Sequence, residues 1–381
     1  MSGTPAAQRF LPLPDTTPAP VLQEHRFPCN TCGSDLRFDP ASSDLKCDHC
    51  GQTEAIGTIW TQSRAIAELD LRQGMAQTLD ASEMEETRVS ACPNCAAQVE
   101  FGDTDQAKEC PFCATPVVVD TGTHRHIKPR AVLPFALTEQ IARDAMKDWL
   151  GSLWFAPNGL QAYARKGRQM DGIYVPYWTY DAQSDTRYTG ERGTIYYETR
   201  TIMHDGKRQT IRVPKTRWRN TSGRVARFFD DILVLGSRSL PKRFTDALEP
   251  WDLAALEPYA PEYLAGFRAE GYAVPLDEGF EEARTRMDAM IRRDIKFDIG
   301  GDRQRIHSMD VKLSDMTFKH ILLPVWLAAY KYRGRSYRFV VNGRTGRVQG
   351  ERPYSAIKIT FAVIAGLIAA AIIGYLYAMN G

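Results

Sequence analysis

What this chain of 381 residues lacks narrows it first. It has no Gly-x-x-x-x-Gly-Lys-Ser/Thr loop, so it does not bind nucleotide in the P-loop manner. It has no Gly-x-Ser-x-Gly and no His-Glu-x-x-His, which removes the nucleophile elbow and the zincin helix. Its net charge is only +2, so the whole-chain balance names no partner and local clusters must. Residues 1–20 carry one basic side chain, Arg9, and no apolar run, so no secretory leader is expected there. Leu11-Pro12-Leu13-Pro14, with Pro18 and Pro20, instead reads as an extended, solvated tail over residues 1–24.

No cysteine stands alone. Cys29 and Cys32 are followed after fourteen residues by Cys47 and Cys50, and Cys92 and Cys95 are followed after fourteen by Cys110 and Cys113. The flanks align too, Cys29-Asn-Thr-Cys-Gly-Ser-Asp-Leu-Arg-Phe against Cys92-Pro-Asn-Cys-Ala-Ala-Gln-Val-Glu-Phe, an internal duplication at a 63-residue offset. Each Cys-x-x-Cys turns tightly enough to aim both thiolates at one ion, and two turns supply a tetrahedron of sulfur that suits zinc. Iron in a rubredoxin-like site is the rival, and ligand type favours zinc. Units this small have little core, and structural zinc contributes roughly 10–16 kcal/mol in finger peptides. Two zinc ions are therefore expected, one in a ribbon over residues 25–54 and one in a ribbon over 89–120, with 55–88 as linker. A site closed by four thiolates leaves no position for a catalytic water. His25, His49, His124 and His126 read as surface residues beside it.

Only one long apolar run exists, and it comes last. From Ile359 to Met379 there are twenty-one residues without a charge. At about 1.5 Å per residue they span about 30 Å, the thickness of a bilayer core. Tyr375 and Tyr377 lie near one end as an aromatic belt would, and Arg344, Arg347, Arg352 and Lys358 precede the run. A single transmembrane helix over 356–379 is expected, with the preceding bulk cytoplasmic by the positive-inside rule.

Between these features, residues 121–355 read as an α+β domain with a mainly antiparallel sheet. Thr138 looks like an N-cap, with Ile141, Ala145, Met146, Trp149 and Leu153 at helical spacing after it. Tyr174–Tyr180, Thr194–Met203 and Gln209–Val213 read as strands, with Asp205-Gly206 as a hairpin turn. Glu262–Glu270 and Glu278–Phe297 read as helices. Val175-Pro-Tyr-Trp-Thr-Tyr180 matches Leu323-Pro-Val-Trp-Leu-Ala328, which suggests two related halves.

Chemistry is sparse in this domain. Asp230, Asp231 and Asp302 draw attention as paired or turn-borne acids, and the turn reading is favoured because Asp and Gly dominate turns. The stretch Arg187–Arg227 holds eleven Lys or Arg against three acids. Arg187, Arg192, Arg200, Lys207, Arg208, Arg212, Lys215, Arg217 and Arg219 interleave with Tyr188, Tyr196, Tyr197 and Trp218. Such a pattern suits a solvated sheet face, anionic lipid or nucleic acid.

Taken in order, Cys110-Pro-Phe-Cys113, Gly172-Ile-Tyr-Val-Pro-Tyr-Trp178, Phe229-Asp-Asp-Ile-Leu-Val234, Leu248-Glu-Pro-Trp251, Ile299-Gly-Gly-Asp302, Thr317-Phe-Lys-His-Ile-Leu-Leu-Pro-Val-Trp326 and Val341-Asn-Gly-Arg-Thr-Gly346 resemble bacterial TFIIB-type zinc-ribbon membrane proteins. The resemblance covers about residues 90–355. It carries over Cys92, Cys95, Cys110 and Cys113 as zinc ligands and no catalytic residue. Some relatives accompany phage-shock-protein-A-like and flotillin-like membrane proteins, which implies protein partners in membrane-stress complexes. The expectation is a non-enzymatic, membrane-anchored zinc-ribbon adaptor, with a membrane-tethered nucleic-acid binder as the alternative.

Overall fold

The strands expected at Tyr174–Tyr180, Thr194–Met203 and Gln209–Val213 are parts of two much longer ones. In a computed structural model, which describes residues 27–56, 66–93, 98–100, 107–109, 116–118, 123–155, 170–204, 207–332, 335–351 and 354–380, they merge into a hairpin. The turn expected at Asp205-Gly206 lies outside the described residues, although pairing continues to His204 opposite Lys207.

In chain order, β1 (Leu36–Asp39), β2 (Asp44–Cys47) and β3 (Thr53–Glu54) form an antiparallel sheet of three strands. β4 (Leu69–Asp70) leads into α1 (Leu71–Met75), and Asp70 Oδ1 accepts from the Gln73 amide at 2.9 Å to cap it. Next come β5 (Met84–Ala91), β6 (Gln98–Glu100), β7 (Ala107–Glu109), β8 (Pro116–Val118) and β9 (Thr123–Ile127). β5 pairs with β6 and β9, and β7 with β8. The large sheet then takes β10 (Ala131–Val132), β11 (Asp171–His204), β12 (Lys207–Leu235), β13 (Glu257–Pro258), β14 (Arg268–Ala269), β15 (Arg303–Tyr332), β16 (Arg335–Asn342) and β17 (Val348–Gly350), together with β4. Helices α2 (Glu139–Ser152), α3 (Lys242–Asp246) and α4 (Leu276–Ile299) pack on it, and α5 (Ala356–Asn380) follows.

Helix α4 presents Phe280, Ala283, Met287, Ile291, Ile295 and Ile299 at three- and four-residue spacing, all buried. They cover one face of β11, β12 and β15 beside Tyr188, Val225 and Phe229. The other inner stripe, on α2, is Ala142, Met146 and Leu150. Ile141, expected to face inward, is half exposed at 50%. The expected helix Glu262–Glu270 is instead one 3-10 turn, Pro261–Leu264, followed by β14. Gly266 sits at φ +82°, a left-handed conformation that no helix continues through. Nor is residues 55–88 merely linker: Leu69 pairs with Phe318, and Leu71 is buried beneath α4.

Local contacts recur on the two sides of the β11–β15 pair. Val175 lies directly opposite Leu323, the residue it aligns with, so a pseudo-twofold axis passes between them. Gly236 donates to the Pro176 carbonyl at 2.9 Å, and Gly343 donates to the Pro324 carbonyl at 2.9 Å. On each side a helix precedes a hairpin, α2 before the long hairpin of β11 and β12, and α4 before the shorter one of β15 and β16.

Candidate metal centre and binding surfaces

Two tight turns bring the first four cysteines together. The Gly33 amide donates to the Cys29 carbonyl and the Gly51 amide to the Cys47 carbonyl, at 2.8 and 2.9 Å. Both glycines have positive φ, +74° and +76°, which only they adopt without strain. The four sulfurs of Cys29, Cys32, Cys47 and Cys50 lie within 4.8 Å of one another. Cys29 Sγ is 3.6 Å from Cys50 Sγ, and Cys32 Sγ is 3.5 Å from Cys47 Sγ. Thiolates about 2.3 Å from a tetrahedral ion sit about 3.8 Å apart, so this donor set fits a metal ion. The Ser34 amide donates toward Cys32 and lowers its thiol to about 6. Cys29 is lowered as well, by the amides of Thr31 and then Cys32. At Cys50 the Gln52 amide pulls downward, but burial and the neighbouring sulfurs win and push it up to about 12. A divalent cation relieves that crowding of thiolates.

The second set is only partly described. Cys92 is buried in an apolar cluster with Ile173, Leu233 and Leu323. Cys95, Cys110 and Cys113 lie outside the described residues, as does any second metal centre there. The strands framing them, β5 to β9, are described.

The first ribbon is built into the body rather than displayed from it. Leu36, Phe38 and Leu45 join one cluster with Phe135, Tyr174 and Trp326. Phe38 meets Tyr263 edge-on at 5.5 Å, and its amide donates to the Ala265 carbonyl at 2.9 Å. Above this contact opens a cleft of about 440 Å³. Phe38, Phe267 and Trp326 contribute apolar surface to it, while Arg37, Lys46, Arg268, Asp39, Asp48, Glu139 and Asp171 bring both signs of charge. Burial raises Asp171, partly offset by Arg268.

A second group of acids surrounds a lysine. Carboxylate oxygens of Asp181, Asp230 and Asp231 lie within 4.8 Å of one another. Lys319 Nζ is 2.8 Å from Asp231, 2.9 Å from Glu68 and 3.4 Å from Asp181, and it is buried. The ammonium thus supplies the positive charge that these carboxylates need. Burial and a hydrogen bond shared with Glu68 push Asp181 up to about 7. Burial alone would raise Glu68, but hydrogen bonds from Asp181, Thr317 and Lys319 hold it down at about 2. Asp231 has φ +51° at an irregularity in pairing, and its amide donates to Asp181 Oδ1. Asp302 has a bracing role: its carboxylate accepts from the Ile195 amide at 2.7 Å, and its own amide donates to the Gly193 carbonyl.

The basic residues do not form one patch. Arg187 faces Arg224 on one side and Asp310 on the other, in a mixed-charge row. Arg192 packs against the Gly300-Gly301 corner, and Arg219 is exposed opposite it. Arg212 lies over the Tyr197 ring at 5.2 Å, Arg217 over Tyr196 at 5.1 Å, and Lys215 pairs with Glu198. Arg200 and Arg208 are exposed, and the Lys207 side chain is outside the description.

One cluster went unread in the sequence. His126, expected at the surface, is half-buried edge-on to Tyr272 at 5.1 Å. His320 lies 5.4 Å from the same ring and donates from Nδ1 to the Ile127 carbonyl, 2.8 Å away. Burial pushes His320 down to about 4. Only the alternation of a long strand, which turns His320 inward beside Trp178, signals this.

Helix α5 contains a run, Ile357–Tyr377, of mean hydropathy 2.4 with none of it buried. By length and composition it is able to cross a membrane. No family model matches the chain, and no solved structure matches it. It is similar to the uncharacterised protein YdjG of Bacillus subtilis (strain 168), 25% identical over 343 residues that span 89% of this chain and 94% of that one.

Proposed function

We propose that this chain is a membrane-anchored adaptor, held in the bilayer by α5 with its bulk cytoplasmic, that carries zinc in its ribbons and docks protein partners beside the first of them. The fusion of that ribbon to the body carries the reading. Because Phe38 locks it against Tyr263 and the Ala265 carbonyl, the cleft above is a fixed surface, not a mobile finger. Aromatic side chains and charges of both signs are what a protein surface recognises. Zinc suits the four thiolates, and a second ion in Cys92, Cys95, Cys110 and Cys113 follows from the duplicated spacing. Phage-shock-protein-A-like or flotillin-like partners remain the resemblance's suggestion.

The test is purification of the full-length protein from native membranes after mild crosslinking, with and without nuclease, beside a variant with Arg37→Glu and Lys46→Glu at the cleft rim. Defined proteins that survive nuclease and vanish with the variant support the adaptor. Partners lost on nuclease treatment sink it in favour of a tethered nucleic-acid binder.

A further inference from the structure

The end of α2 meets the start of α5. Trp149 and Leu153 pack on the body, Trp149 edge-on to Phe339 at 5.6 Å. The next two residues leave it, Trp154 being 81% exposed and Phe155 40%. Their backbone is nevertheless held. The Trp154 amide donates to the Ser152 carbonyl at 3.1 Å, and the Phe155 carbonyl accepts from the Ser355 amide at 2.8 Å. Lys358 Nζ reaches back to donate to the Trp154 carbonyl at 3.1 Å. Ser355 also caps α5, its Oγ accepting from the Lys358 amide at 3.4 Å. The same two residues therefore begin the apolar helix and hold the aromatic turn.

Position along α5 decides what surrounds this turn. Ser355 stands just ahead of the apolar run that opens at Ile357, about 3 Å along a helix. The headgroup layer on each side of a bilayer is about 5–7 Å deep. A bilayer that receives α5 therefore places the Phe155 carbonyl among its headgroups. Tyr354 and Ile357, both exposed, flank the same point. Residues 149–155 include no charged side chain, whereas the cleft beside the first ribbon is rimmed by both signs. An indole has a large apolar body and a single N–H, which suits the boundary between acyl chains and headgroups.

We propose that the turn of Trp154 and Phe155 is a second membrane contact, resting in the headgroup layer of the bilayer that α5 crosses, with lipid rather than water around its rings. The Lys358 ammonium, held at the Trp154 carbonyl, stays at the level of the phosphates, as lysines near the ends of membrane helices do. Any protein covering the turn would have to displace lipid from the first turn of α5 to reach it. Helix α2 is fixed to the body through Ala142, Met146 and Leu150. The body is therefore held against the bilayer at two points and keeps one orientation instead of swinging on a single strand. The inference rests on the reading of α5 as a membrane span.

The experiment compares the full-length natural protein with Trp154→Phe in nanodiscs of phosphatidylcholine, either plain or brominated high on its acyl chains. The variant keeps a ring at an exposed position, so the fold stands. Bromine quenches an indole only on contact. Tryptophan emission of the natural protein should fall in the brominated discs, and part of that fall should be lost in Trp154→Phe. Equal quenching of the two proteins overturns the proposal. Acrylamide, which quenches from water, then tells where the indole lies: a larger effect on the natural protein places it in water, and an equal effect places it beneath another protein. Alkaline carbonate extraction of native membranes tests α5 separately, and the natural protein should stay in the pellet. Its release overturns the reading of α5 and the proposal with it, whereas retention with equal bromine quenching removes the aromatic contact alone.

Discussion

Trp178 and Trp326 make the same hydrogen bond on either side of the pseudo-twofold axis. Trp178 Nε1 donates to the Val274 carbonyl and Trp326 Nε1 to the Leu137 carbonyl, each at 3.0 Å. Each carbonyl lies two residues ahead of a helix, α4 or α2. Their neighbours repeat as well, since Tyr272 is 4.8 Å from Trp178 and Phe135 is 4.9 Å from Trp326. The indoles fix where both helices leave the sheet.

Replacing either tryptophan by phenylalanine keeps the ring packing but orphans a carbonyl. Each variant should lose about 1–2 kcal/mol, and the two losses should be similar. At about 2–4 °C per kcal/mol for a domain of this size, thermal melts in detergent would register both. A loss confined to one variant would mean that the halves are not energetically equivalent.

Metal and docking separate at the first ribbon. Cys32→Ser removes one of four sulfurs at the exposed side of the site, and elemental analysis of the purified protein should show one equivalent less zinc. Phe38→Ala leaves the thiolates intact but strips the contact with Tyr263 and should cost about 3–5 kcal/mol. Its zinc content should stay unchanged while the ribbon becomes open to protease. If Phe38→Ala also empties the site, the metal centre depends on docking.

Lys319 is the sole cation among Glu68, Asp181 and Asp231 in the contacts described. Lys319→Met should destabilise the protein by about 3–5 kcal/mol near neutral pH, because buried carboxylates lose their partner. Acid should rescue part of the loss by protonating them. Denaturant titration at two pH values checks both statements, and a loss independent of pH would point to packing alone.

Much of this was legible in the sequence, and the failures have physical causes. Cysteine spacing located the cluster of Cys29, Cys32, Cys47 and Cys50, which could hold a metal ion, because two tight turns fix its geometry locally. The uncharged run gave α5, and the Val-Pro-Tyr-Trp match picked out Val175 and Leu323, which lie opposite each other in β11 and β15. The length of β11 was hidden because Gly190 and Gly193 resemble strand breaks. Both sit where close packing excludes a side chain: a Cβ on Gly190 would come 2.3 Å from the Arg305 carbonyl oxygen, and one on Gly193 would come 2.8 Å from Trp218. Lys319 gave no signal at all, since its partners Glu68 and Asp181 are brought to it only by β4 and a bulge.

Asp181 makes stability depend on pH in a way that can be isolated. Its folded carboxyl is raised to about 7, chiefly by burial, against about 3.9 for an unfolded aspartate. Between those values the folded protein keeps a proton that the unfolded chain has released. The contribution is therefore full below about pH 4 and is lost as pH rises to about 7. His320 works in the opposite sense, because its folded pKa is lowered to about 4 and its contribution grows as pH rises from there. A single melting curve mixes the two. Asp181→Asn removes only the first, and its amide oxygen still accepts from the Asp231 amide. Relative to this variant, the natural protein should lose stability between about pH 4 and 7 and run parallel to it above. Parallel curves over the whole range would show that Asp181 is ionised in the folded state and that Lys319 alone governs the cluster.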